Sequence, residues 1–438
     1  MREINLSSDN LVLRLLALEP SRKLALLDSC NSPLGDSRHL IAGFDPTESF
    51  EFRCQNKTEA ENALRFLDEQ LQKYRNDEFD FLGGGACVAT VSYEFGMLFE
   101  NLTPRSKEFQ LFDFPSVNFD FYETLVVHDY KTQKTFVVGK QVEGVARELE
   151  EAQDFLIHKQ SGIVSLKSNF SKSEYMAAVE TIREHIAAGD IYQANLTQHL
   201  ILESEEDFAP ETVFWNLRKS HPAPFAAFVR RENDSIVSAS PERFFKVENN
   251  KITASPIKGT RRRGKTADED SLLRLELQQS AKDRAENVMI VDLLRNDIGR
   301  VCEFGSVRVE KLCEIEQHPT LFHLVSTVGG RLRENIKASD LLKAAFPCGS
   351  ITGAPKVRAM QILDRIETAP RGISMGAIGY FGFDGSIDLN VAIRTAVVRE
   401  NQAVFNVGGG IVFDSQPEAE YEESLIKARA LLNSFGAI

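Results

Sequence analysis

Only six of the 438 residues are cysteine: Cys30, Cys54, Cys87, Cys302, Cys313 and Cys348. No two form a CxxC pair. That scatter argues against a disulfide framework or a zinc site and reads as reduced thiols in a cytoplasmic protein. No apolar run approaches the roughly 18 residues of a membrane span. The N-terminal stretch LVLRLLALEP is short and broken by Arg14, so it lacks a secretory layout. Positive charge is in deficit, with 51 Lys and Arg against 64 Asp and Glu and a net charge of −13. A general nucleic-acid binder needs Lys/Arg stripes and is disfavoured. Any anionic ligand must then be held by local charge or by a metal. Short-period repeats and low-complexity tracts are missing too. What is present is apolar material, 42% of the chain, ample for a large core.

The length allows two to three domains or one large α/β unit. Residues 1–165 read as α/β. In KTEAENALRFLDEQLQKYRN, the residues Ala60, Ala63, Leu64, Leu67, Leu71 and Tyr74 recur with a helical period. GACVATVSYEF and TLVVHDYKTQKTFVVG read as strands, the second a hairpin around DYKTQK. A charged helix over roughly 143–158 and a linker, KQSGIVSLKSN, follow. From Ser171 the style changes. Ser171 and Glu174 form a capping-box pattern, Tyr175, Val179, Ile182 and Ile186 share one face, and Gly189 supplies a stop. A strand IYQANLTQHLIL, several short strands over 222–258 and one long helical run from about 268 to 295 come next. After CGSITGAPK another helix leads to a hairpin turning at Asp384-Gly385. A glycine-rich strand and a final helix from about 417 end the chain.

SPIKGTRRRG, residues 255–264, crowds positive charge into an acidic protein. It overlaps GTRRRGKT (259–266), a literal phosphate-loop match, with VMIVD (288–292) as an accompanying apolar strand ending in an acid. A nucleotide hydrolase must therefore be weighed. A phosphate loop needs bare backbone N–H groups and a helix starting at the Lys-Thr. Here ADEDS follows at once, and its acids would oppose a triphosphate.

Other stretches carry different chemistry. In KDRAENVMIVDLLRND, Asp283 and Glu286 are i, i+3 on a helix, as are Glu420 and Glu423 near the end. Two such pairs aimed at one cleft would suit Mg²⁺; each alone could equally be a solvated helix face. In SIDLNVAIRTAVV, alternation puts Ile387, Leu389, Val391 and Ile393 on one face and Asp388, Asn390 and Arg394 on the other. Arg394 could clamp a carboxylate or make an ordinary ion pair. Gly408, Gly409 and Gly410 inside a strand mark a bulge or a close backbone approach. Glu242 and Lys258 each follow a proline at the end of a short strand, where they could act as general acid and nucleophile. Lys258 must be neutral to attack, and burial with neighbouring arginines and a metal would favour that form.

These pieces, in this order, resemble the chorismate-utilising enzymes, which include the large subunits of anthranilate synthase and aminodeoxychorismate synthase and the isochorismate and salicylate synthases. The stretches that carry the resemblance are GDIYQANLTQ, SPERF, PIKGTRRRG, KDRAENVMIVDLLRND, FHLVSTVGG, GSITGAPKVRAMQI, GAIGYF, IRTAVV and GGGIVFDSQPEAEYEES, then Lys427, spanning residues 189–427. Residues 1–165 match more weakly. The resemblance implies an α/β (α+β) unit of two antiparallel sheets packed as a sandwich with helices outside and the substrate cleft between them. It divides the chain into 1–165 and a catalytic region 166–438.

The resemblance also implies roles. Lysine stands at Gln193 in the water-adding branches, so water activation is disfavoured here. Pro-Ile-Lys-Gly, where anthranilate synthases read Pro-Ile-Ala-Gly, marks the aminodeoxychorismate branch, with Lys258 the nucleophile and Glu242 the acid. Glu286 and Glu423 should ligate Mg²⁺, with Asp283 and Glu420 close by. His323, Ser350, Arg394, Gly408, Gly410 and Lys427 should line the chorismate site. Leu26–Ser29 resembles a segment that holds tryptophan in some relatives. Ser374 departs from the Tyr or Trp usual at its position. A glutamine amidotransferase carries its cysteine in a Gly-x-Cys-x-Gly elbow. None of the six cysteines lies in one, so a separate partner subunit should supply ammonia.

Overall fold

A computed structural model describes residues 1–32, 38–76, 81–105, 109, 111–158, 162–317 and 321–437. Among these residues the strands form two sheets in which every pairing is antiparallel. The larger runs from Arg2–Ile4 through Lys134–Gly139, Thr124–Asp129, His39–Phe44, Leu24–Asp28, Phe225–Arg230, Ser235–Ser240, Thr395–Arg399, Gln402–Ile411 and Gln193–Ser204 to Gly353–Ala354. The smaller runs from Ile257–Arg262 through Leu321–Arg331, Lys251–Ala254, Arg243–Glu248, Ile387–Asn390, Ala377–Gly382, Ala86–Val91 and Val117–Tyr122 to Glu48–Phe52.

Alternation along the strands builds the sandwich, because successive side chains point to opposite faces. Leu24 and Leu26 pack under the outer helices with Leu11, Phe214 and Leu431. Ala25, between them, packs with Ala86, Val88 and Tyr122 of the other sheet. Cys87, Ala89 and Val91 meet Leu64 and Leu67 of the helix Lys57–Tyr74 on the smaller sheet's outer face. Both faces of the central strands are therefore apolar, as doubly covered strands require. The expected sandwich with outer helices is what the chain forms.

Local signals behave as the sequence suggested in several places. Ser171 accepts from the Glu174 amide, and Glu174 answers at the Ser171 amide. Gly189 takes φ +79°, which ends that helix. Other expectations are corrected. The single run from 268 to 295 is two helices, Ala267–Gln279 and Ala281–Gly299, parted at Ser280, whose side chain caps the second by accepting from the Asp283 amide. The charged helix spans only Val142–Glu151. Residues 163–168 of the supposed linker form a strand, Ile163–Ser168, paired with Gln193–Ser204; residues 159–161 of it lie outside the described residues. SIDLNVAIRTAVV is not one strand, because the chain leaves the smaller sheet at Asn390 and enters the larger at Thr395. The division at 165/166 falls inside a strand, and the segments on either side of it contribute to both sheets.

Candidate active site

Glu242 sits where the chain crosses between sheets. Ser235–Ser240 belongs to the larger and Arg243–Glu248 to the smaller, and Pro241 between them has no N–H for either ladder. Val391 N–H donates to the Glu242 carbonyl at 3.0 Å, which fixes its backbone. The side chain is buried, and Oε1 has no hydrogen-bond partner among the described residues. Burial pushes its pKa up; Lys258, Ser350 and the Ile257 backbone pull the other way without prevailing.

Lys258 comes from the strand Ile257–Arg262. Its pairing with Leu321–Arg331 slips between Ile257 and Thr260, a bulge that re-aims the side chain. Gly259 takes φ +80° there, and a Cβ on it would meet Asp283 and Leu277 at 2.9 Å. Lys258 Nζ donates to the Ser350 carbonyl at 3.0 Å. Ser350 lies in the short turn Gly349–Ile351, buried, with its hydroxyl 3.4 Å from Cys348 Sγ. Glu242, Lys258 and Ser350, far apart in the chain, thus meet in one place.

The carboxylates gather beside them. Glu286 is raised by burial first and by Asp283 and Glu420, with Lys258 and Lys282 opposing. Glu420 is raised by burial and by Glu423; Ser415 donates to it at 2.6 Å. Burial works to raise Glu423 also, but Lys427, 2.8 Å away, holds it below the ordinary range. Lys427 also donates to the Gly408 carbonyl at 2.9 Å. The three glycines have separate uses. A Cβ on Gly408 would strike the Leu196 carbonyl, and one on Gly410 would strike Gln193, each about 2 Å away. Gly409 faces Glu420, Lys427 and Glu423 at 3.2–3.6 Å and leaves the space before them clear.

Crowded carboxylates are hard oxygen donors of the kind Mg²⁺ takes, and the buried Glu420, the half-buried Glu286 and the exposed Glu423 supply such donors. Among the described residues no three His, Cys, Asp or Glu side chains converge into a metal cluster. Asp283 is drawn away to Arg261 at 3.2 Å.

Arg394 stands at the sheet crossing with φ +50°, and its guanidinium has no ion pair or hydrogen bond among the described residues. Burial alone lowers its pKa. His323 is buried on Leu321–Arg331, with Nδ1 2.9 Å from Thr260 Oγ1. The arginines of GTRRRG are spent elsewhere. Arg261 bridges Glu276, Arg262 bridges Glu269 and Arg263 bridges Asp270, so they clamp the helix Ala267–Gln279 instead of crowding Lys258. The amides a phosphate would need are taken as well, Gly264 N–H by Asp270 and Lys265 N–H by Glu269, both at 2.7 Å.

A match to the model of the chorismate binding enzymes covers residues 27–433, nearly the whole chain. The chain belongs to that family. It is 39% identical over 383 residues to "Aminodeoxychorismate synthase component 1" of Escherichia coli (strain K12), covering 86% of this chain and 83% of that one. It is 35% identical over 426 residues to "Anthranilate synthase component 1" of Aquifex aeolicus (strain VF5), covering 91% and 84%. The solved structure of anthranilate synthase component I from Streptococcus pneumoniae TIGR4 superposes with a TM-score of 0.79 at 30% identity, covering 91% of this chain and 92% of that one. Relatives of both names match to a similar extent.

This chorismate binding enzyme has further site residues that sequence reasoning missed. Arg371 donates to the Ile351 carbonyl at 2.7 Å and the Asn195 carbonyl at 2.5 Å. It also pairs with Glu367, which accepts from the Thr197 amide at 2.9 Å. The pair bolts the Ser350 turn to the strand Gln193–Ser204. An acid and a base four residues apart read as a solvated pair, and nothing local shows that both are buried. Ser374, the expected departure, is buried and its hydroxyl accepts from the Asn406 amide at 3.2 Å. Leu27, Asp28 and Ser29 line a cavity of about 680 Å³ between the sheets, with Phe225, Lys246 and Asp388 on its other walls. None of the Lys258 site residues borders it. Among the described residues no helix is long and apolar enough to cross a membrane.

Proposed function

We propose that this protein aminates chorismate at C4, giving 4-amino-4-deoxychorismate, with ammonia from a glutamine amidotransferase partner. The observation that carries the reading is Lys258 beside a buried, partly unpartnered Glu242. Lys258 adds to C2 of chorismate as both ring double bonds shift and the C4 hydroxyl leaves as water with the Glu242 proton. Glu242 regains a proton from the lysine nitrogen. Ammonia then bonds to C4, the C2–N bond to Lys258 breaks, and the surplus proton goes to the departing amine. Arg394, a half-buried cation without an acid among the described residues, clamps a substrate carboxylate. His323, Ser350, the Gly408 and Gly410 backbone and Lys427 line the rest of the site. Mg²⁺ held by Glu286 and Glu423, with Glu420 near, would neutralise a second carboxylate. The names of the relatives, component 1 in both branches, support a separate ammonia-supplying subunit. The cavity at Leu27–Ser29 would take an amino acid such as tryptophan.

The product is the point of choice, because the anthranilate reading draws on relatives of similar identity. Lys258 favours C4 amination. The test is the product formed from chorismate, Mg²⁺ and ammonium by wild type and by Lys258→Ala, resolved by mass and chromatography. Retention of the pyruvyl group and loss of product in the variant are expected. Anthranilate from both proteins would overturn the assignment.

A further inference from the structure

The helix Ala281–Gly299 carries Glu286, and the next residue, Asn287, is wholly buried. An amide sealed in a core is costly unless it is hydrogen-bonded at both ends. Asn287 Nδ2 donates to the Leu324 carbonyl at 3.3 Å. Asn287 Oδ1 accepts from the Ser326 hydroxyl and, at 3.6 Å, from the Cys313 thiol. Ser326 Oγ in turn accepts from the Cys313 amide at 2.8 Å. These directions are fixed, because a backbone carbonyl only accepts and a backbone N–H only donates. Cys313 reaches inward because its strand, Arg308–Gln317, slips register between Lys311 and Glu314, and it takes φ +53° there. That conformation is disfavoured for a residue with a side chain, so the edge strand bends to complete the cluster.

The cluster joins two parts of the reacting centre. On the helix, Glu286 and Leu293 are seven residues apart, about two turns, and share one stripe. Leu293 packs on the turn Gly349–Ile351, where a Cβ on Gly349 would meet it at 2.5 Å. A rotation of the helix would therefore move the carboxylate and disturb the Ser350 turn together. On the sheet, the Ser326 amide donates to the Pro256 carbonyl at 3.3 Å, two residues before Lys258. His323 stands on the same strand, Leu321–Arg331. The apolar contacts beside Asn287, from Ile290, Val291 and Leu294, are non-directional and hold distance better than rotation. Hydrogen bonds are directional, and those of Asn287 fix the rotation. We propose that Asn287 is a positioning residue for the reaction: its amide sets the phase of Ala281–Gly299 against Leu321–Arg331, and so the placing of the Glu286 carboxylate relative to Lys258. The inference rests on the reading above in which Glu286 holds Mg²⁺.

The test titrates Mg²⁺ against the full chain twice, once by chorismate consumption at saturating ammonium and once by the Mg²⁺-induced rise in Tm without turnover. Asn287→Ala should raise the half-saturating Mg²⁺ roughly tenfold, the low end for residues that orient metal ligands, and shrink the rise in Tm. Excess Mg²⁺ should recover most of the rate. Ser326→Ala, which keeps the bond to Leu324, should move both readouts the same way by less, and carries the test if Asn287→Ala does not fold. Ser326→Cys, which keeps a donor of similar size, should lie nearer wild type. Asn118→Ala removes a different buried amide, bonded to Asp120 at 2.7 Å, and should lower Tm while leaving the Mg²⁺ requirement unmoved. A wild-type Mg²⁺ requirement in the folded Asn287 and Ser326 variants, or an equal change in Asn118→Ala, overturns the positioning role. A wild type whose rate and Tm both ignore Mg²⁺ overturns the metal reading itself, and the inference with it.

Discussion

The cavity at Leu27–Ser29 and the cleft at Lys258 and Glu242 are built on the same two sheets, yet their charges are settled differently. The cavity is roomy, about 680 Å³, and its charges are answered: Asp28 by Arg218 at 2.7 Å, and Asp388 by Arg243 at 2.9 Å. In the cleft, among the described residues, Arg394 has no counter-charge and Glu242 Oε1 no donor, and Glu286 and Glu420 are pushed up by burial and by neighbouring carboxylates. Unpaired buried charge is expensive and persists where a ligand completes it. Volume marks a place that can be filled; unsettled electrostatics marks the place where chemistry is expected.

That contrast can be broken by experiment. Lys258→Ala should abolish product, and Glu242→Gln should lower kcat by roughly 10²–10⁴-fold, the range of a positioned acid. Arg394→Ala should cost about 2–5 kcal/mol of substrate binding, read as a raised KM for chorismate, with Arg394→Lys intermediate. Mg²⁺ should raise Tm, and the sign with pH is fixed. Glu242, Glu286 and Glu420 all have folded-state pKa values raised by burial. Their contribution to stability is present below the ordinary carboxylate range and lost as pH rises through the raised values. Ionised, they repel one another and offer ligands, so the Mg²⁺-induced rise in Tm should be larger at about pH 8 than at about pH 5. A rise independent of pH would place the ion elsewhere. On the settled side, Lys246→Met in the cavity wall should leave ammonium-dependent kcat within about twofold, as should Lys265→Ala in the phosphate-loop look-alike. A large loss in either would erase the distinction between the two regions.

Much of the local structure was legible. The Ser171–Glu174 box, the helix Lys57–Tyr74 and the turn at Asp384-Gly385 follow from capping, period and turn chemistry, which act over a few residues. Ser280 was legible too, as a cap three residues before Asp283, but the apolar period on either side masked it. The straight reading of SIDLNVAIRTAVV failed because alternation says which way side chains point and not which sheet the backbone joins. The phosphate-loop pattern misled because a spacing does not show whether its amides are free, and here two carboxylates occupy them.

By itself the sequence determined the acidic surface, the scattered thiols, the helix caps and the residue types able to carry acid, base and metal chemistry. Each depends on composition or on neighbours within a turn or two. Only the tertiary structure decided that Glu242, Lys258, Ser350 and Glu286 share one cleft, that Asp283 is claimed by Arg261, and that Glu367 and Arg371 are buried. Those facts depend on pairing between segments more than two hundred residues apart. Burial and charge balance are set by what the other segment brings.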